Sequence, residues 1–365
     1  MTGKRLCQQA TKNNSRIDTH RKQLTLAIEV SSTTPFSSAL LLLITLAIAS
    51  SPTWSDTTVQ AQDSTAQETS ATPAAHQLFL APALTANQTQ PRDQRWFPIP
   101  VKSIRGQILE LNDKQAKIQV PGEVQVESYA ANRVIHVRLM NTPDDQRKAL
   151  ALYDQRQFSA ALPAIVKAVS EPQNGQRAPV WRQQWLSMLA ARAAMQSNRG
   201  SVAIELVRQL DQRPLPAMTL GLLPIVWDWS DTSGLVQPAV KAAGSDSLAV
   251  KLVAASWLMR SQEYREAAKS ALERLAAQTQ RPAIATLATQ LLWQLKSPVQ
   301  IQSDFERWES EVEALPMPIQ TGPMIGLATT LRRMGQNEAS QRWSKALELA
   351  VPAPYPVPKP EQPLP

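Results

Sequence analysis

The chain holds one cysteine, three histidines and eleven glycines among 365 residues. Its single thiol, Cys7, leaves nothing for an intrachain disulfide, so a disulfide-stapled fold is excluded. Beyond the N-terminal segment the histidines are His76 and His136, too few for a Ser-His-Asp triad or a histidine metal cluster within one chain. No glycine-rich phosphate loop and no G-x-S-x-G turn occurs. These absences argue against the common enzyme classes, and no catalytic residue, metal or cofactor is expected. Aromatic residues are also scarce at 5%, yet ten are tryptophan and eight of those lie beyond residue 180, which places the core in the C-terminal two thirds.

What is abundant comes first at the N-terminus. Lys4, Arg5, Lys12, Arg16, Arg21 and Lys22 precede the apolar run ALLLLITLAIA from Ala39 to Ala49, and Ser50-Ser51 follow. Basic, apolar and small residues in that order read as an export signal. Eleven apolar residues fall short of the roughly 20 that span a bilayer. Residues 1–49 are therefore expected to be a cleaved signal or a retained N-terminal anchor, and the protein exported. Cleavage after Ala61 lowers the net charge from +8 to +5. The remaining Lys and Arg are scattered, so no nucleic-acid partner is expected, and a membrane only if the anchor is retained.

Residues 50–100 are mostly Ser, Thr, Ala, Gln and Pro and read as a disordered spacer, with Leu78-Phe79-Leu80 and Trp96-Phe97 as apolar islands. From Val101 the period becomes two. Ile104, Gly106 and Ile108 alternate with Arg105, Gln107 and Leu109, and the runs QAKIQV, VQVES and RVIHVRL follow across turns at Asn112-Asp113 and Pro121-Gly122. This predicts a small four-stranded, SH3-like β unit over 101–141, with His136 exposed on the last strand. Thr142, Pro143, Asp144 and Asp145 then open a helical region, with Thr142 as cap and the two Asp on the positive end of the dipole. Eleven or twelve helices are expected over 142–350. The last fifteen residues, 351–365, carry seven prolines and read as polyproline-like tail.

Within the helical region Ala149 and Leu152 are followed by Phe158, then Ala161, Ile165, Ala168 and Pro172. Near the end, Leu327 and Thr330 are followed by Gly335, then Ala339, Trp343, Ala346 and Pro352. Two alanines flanking one bulky residue on a single helix face let a neighbouring helix come close while the bulky group locks it. Tyr264 and Ala267 make an intermediate copy. The pattern resembles the tetratricopeptide repeat, a 34-residue helix-turn-helix that stacks into a superhelix. Its alanines Ala161, Ala203, Ala267 and Ala339 stand 42, 64 and 72 residues apart, so an uninterrupted array is excluded. The fold expected is mostly α, an irregular tetratricopeptide-like α-solenoid behind the β unit.

Two acidic sets are candidate sites. Trp227, Asp228, Trp229 and Asp231 could hold a sugar or serve a glycosidase, where two acids flank the scissile bond; the alternative is a helix end with both Trp packed inward and the Asp capping the next turn. Glu306, Glu309 and Glu313 fall opposite Phe305, Trp308, Val312 and Leu315 and read as the solvated side of an amphipathic helix. The leading expectation is an exported, non-enzymatic scaffold that binds a protein or peptide on its helical surface. A cell-envelope sugar-binding protein or glycosidase, and a structural envelope protein held by an uncleaved N-terminus, are the alternatives.

Overall fold

The computed structural model describes residues 75–83, 101–171 and 177–349. The signal or anchor segment 1–49, most of the spacer, Pro172 and the tail 351–365 lie outside the described residues. Five strands form one antiparallel sheet: β1 (His76–Leu80), β2 (Lys102–Leu111), β3 (Gln115–Gln119), β4 (Val126–Ala130) and β5 (Val134–Leu139). Their order is β4-β3-β2-β1-β5.

The expected unit has four strands, and β1 is the correction. It comes from the stretch read as spacer and lies inside the sheet, with His76 paired to Gly106 on β2 and to Leu139 on β5. A strand with a partner on both sides satisfies its amides in both directions, so five residues suffice. Leu78 and Leu80 are fully buried, as are Ile118, Val134 and Val137. Gly106 permits the close approach of β2 to β3, because a Cβ there would run into the Gln119 carbonyl and the Ile118 side chain.

Among the described residues twelve helices follow: α1 (Asp144–Asp154), α2 (Phe158–Ser170), α3 (Val180–Gln196), α4 (Gly200–Leu210), α5 (Ala217–Leu220), α6 (Val236–Ala242), α7 (Leu248–Leu258), α8 (Arg265–Ala276), α9 (Pro282–Trp293), α10 (Pro298–Glu313), α11 (Met317–Arg333) and α12 (Asn337–Leu349). The protein is thus mostly helical with a small antiparallel sheet. Asp144 and Asp145 occupy the first turn of α1, but Pro143 is its N-cap residue and the Thr142 hydroxyl donates back to the Leu139 carbonyl instead of capping.

Helices adjacent in sequence pack together from α1 to α4 and from α6 to α9. Two of them, α3 and α7, are buried along most of their length, with small residues such as Ala190, Ala193 and Ala254 where neighbours close in. The chain then turns back. Helix α11 touches α5, α9, α10, α12 and β5, tying the C-terminal helices to the sheet. Glycines make that return possible: a Cβ at Gly322 would strike the Trp227 indole, one at Gly326 the Gln294 amide, and one at Gly221 the Pro318 carbonyl. No helix among the described residues is long and apolar enough to cross a membrane.

Candidate functional site

The alanine-flanked positions divide into those that pack and those that do not. Ala149, Ala161, Ile165 and Ala168 are buried, and Phe158 stacks edge-on to Tyr153 at 5.4 Å between ring centres. Trp343 is buried, its indole N–H donating to Glu309 at 2.8 Å. Ala339 and Ala346 are half-buried against the core, and Tyr264 likewise at the start of α8. Ala267 is a correction: it is exposed, and the buried stripe of α8 runs through Ala268, Leu272 and Leu275. In α12 the residue pressed against α11 is Ser340, whose hydroxyl donates to the Ala328 carbonyl at 2.8 Å.

Glu309 corrects the acidic-face reading in turn. Its carboxylate is buried between α10 and α12, where it accepts from Trp343 and pairs with Arg342. A charge expected in water is held inside because two donors from another helix reach it.

The acid-tryptophan segment is irregular chain between α5 and α6, not a helix end. Trp227 is buried on Gly322 of α11. Trp229 has the Arg260 guanidinium 3.7 Å and the Arg333 guanidinium 3.4 Å from its ring centre, and two groups that near cannot share a face. Both faces are therefore covered, and neither tryptophan offers the platform a sugar stacks on. The Asp228 carboxylate accepts from Ser230 at 2.7 Å, and Asp231 accepts from the amide and hydroxyl of Ser233, which hold its carboxyl below the usual range. The cavity beside Asp228 and Ser230 measures about 140 Å³, under the few hundred Å³ of ordinary ligand pockets.

The two histidines are packed groups. His76 accepts from the Ile108 amide at 3.2 Å and meets Trp181 edge-on at 5.7 Å. His136, expected on an exposed face, lies between Phe79 and Trp185, each about 6.1 Å away. Burial, then the nearby cations Arg182 and Arg138, push its imidazole down to about 4. His76 shifts the same way through burial and Arg182. Arg182 is itself buried, lowered to about 10 by that burial, and gives two hydrogen bonds to Gln146.

Two larger concavities converge elsewhere. Asp211, just beyond α4, accepts from the Ser247 hydroxyl at 2.7 Å and the Ala249 amide at 3.3 Å, and pairs with Arg281 at 2.7 Å. Ser247 in turn accepts from the Val250 amide, so both side chains serve the orphan amides opening α7. Asp211 exposes only 4% of its side chain. On one side a groove of about 950 Å³ runs past Arg208, Pro238, Lys241, Ser245 and Asp246. On the other a groove of about 590 Å³ runs past Leu215, Leu220, Pro282, Ala283, Pro316 and Ile319. Asp211, Gln212 and Arg281 line both. The sequence singles out none of these residues, since Asp211 and Arg281 are 70 positions apart. The chain matches no family model, and no curated protein and no solved structure matches it either.

Proposed function

We propose that this is an exported scaffold that binds an extended segment of a protein partner in the paired grooves flanking Asp211 and Arg281. The observation that carries the reading is the junction itself: two open grooves, one of mixed polar and apolar lining and one largely apolar, share a wall whose charges are already paired. An extended chain places alternate side chains on either side of its backbone, and a mixed and an apolar channel suit such a segment. Chain-order packing of α1–α4 and α6–α9 supports the tetratricopeptide-like reading, and the pairing of β5 with β1 supports the SH3-like reading of the sheet. The choice of binding over catalysis rests on the histidines, which are packed under tryptophans away from either groove. Peptides selected from a displayed random library, titrated against Ala283→Arg, test the proposal. The variant is expected to lose at least about tenfold in affinity, or 1.4 kcal/mol, while the surface control Lys345→Glu loses none. Equal binding by Ala283→Arg, or failure to select any peptide, overturns it.

A further inference from the structure

We propose that the Trp229 cage is an oxyanion-binding site, taking the carboxylate or phosphate group of a ligand between Arg260 and Arg333. Arg260 lies just beyond the last turn of α7. Its Nη2 donates to the Asp228 carbonyl at 3.0 Å and to the Gln294 side-chain oxygen, while its Nε and Nη1 are buried with no acceptor among the described residues. The Trp229 indole N–H and the Gln294 amide nitrogen are buried without an acceptor as well. Gln294 is buried with that nitrogen packed against Gly326 of α11, so it stands apart from the nitrogens around Trp229.

Three side-chain nitrogens around Trp229, Arg260 Nε and Nη1 and the indole Nε1, thus lack an acceptor among the described residues, which native interiors rarely leave unanswered. The cluster is also short of negative charge. Asp228 is the one carboxylate acting on Arg260, against Arg333 and Arg265, and its carboxylate hydrogen bond is from Ser230. Water could accept a hydrogen bond here but would leave two guanidiniums facing the single Asp228 carboxylate; an oxyanion supplies acceptor and charge together. The arrangement also suits its size. The guanidiniums stand on opposite faces of one indole, and charge-assisted hydrogen bonds of about 2.8 Å to either side of an oxyanion at the indole N–H edge reach across the ring's thickness. Arg333 is exposed on the last turn of α11 and has no hydrogen bond or ion pair among the described residues, so it can swing to admit the ligand.

The site lies at the opposite end of α7 from the grooves, so its test stands apart from theirs. The Trp229 indole ¹H–¹⁵N resonance, identified by Trp229→Phe, is followed while phosphate, acetate or chloride is added at constant ionic strength. A saturable shift with phosphate or acetate is expected, and the stronger of the two names the ligand class. Arg333→Gln should weaken it at least about tenfold, or 1.4 kcal/mol, and Arg260→Gln should abolish it. Should Arg260→Gln fail to fold, Arg333→Gln alone decides. A shift that does not saturate, an equal one with chloride, or unchanged titration of Arg333→Gln overturns the proposal.

Discussion

The two ends of α7 treat an arginine in opposite ways. At the N-terminal end Arg281 meets a carboxylate that also serves the helix amides, and open grooves flank the pair. At the C-terminal end Arg260 has a carbonyl and an amide oxygen but, among the described residues, no carboxylate bond, and the Trp229 ring closes over it. Where charge is internally settled the surrounding space is left empty; where space is filled the charge is left open. The helix dipole favours both placements, an anion at the start and a cation at the end. The two proposals accordingly assign a peptide chain to one end and an anion to the other.

The largest expected effect breaks the first end. Asp211→Ala removes the partner of Arg281 and an acceptor of α7, and a loss of about 3 to 5 kcal/mol should appear in the urea midpoint. A change under about 1 kcal/mol would mean that the pair does not anchor the grooves.

Arg182 supplies a third case, buried with only Gln146 as hydrogen-bond partner among the described residues and pressing on two histidines. A folded-state value below the unfolded one means that the unfolded chain takes up the proton first. His136 therefore costs stability as pH falls from its ordinary 6.5 towards about 4, with a loss approaching 3 kcal/mol at the bottom of that window. His136→Phe should flatten this part of the stability profile, and an unaltered profile would count against the packing described. Gly322→Ala comes next. The added methyl meets the Trp227 indole, and about 1 to 3 kcal/mol should be lost by thermal denaturation. The smallest effect is expected at Arg260→Met, which removes an incompletely bonded buried charge and should leave stability within about 1 kcal/mol of wild type. A large loss there would show that its present partners already suffice.

How much of this the sequence reveals depends on how local each cause is. The alternation of Ile104, Gly106 and Ile108 predicts β2, and its buried face carries those residues. HQLFL does not announce a strand, because β1 needs the amides of β2 and β5, and no neighbouring residue signals that pairing. Consecutive alanines at 267 and 268 fit a helix face equally well on paper, and a one-residue shift turns the stripe by about 100°. Trp343 between alanines marks a packed residue, whereas Glu309 reads as solvated until Arg342 and Trp343 arrive from a helix 33 or more residues later. Asp211, Arg281, Arg260, Gln294 and Arg333 belong to this second kind. Each is ordinary in its own segment and acquires its chemistry from residues brought in by α7, α9 and α11.

Hydrogen exchange with a library-selected peptide tests the central claim most directly. If the segment lies along both grooves, amides in 211–217, 244–250 and 281–286 should exchange more slowly when the peptide is bound, with the strands unchanged. Slowing confined to the sheet or to α12, or none in those three stretches under saturating peptide, would contradict the assignment of the Asp211–Arg281 grooves as the binding surface.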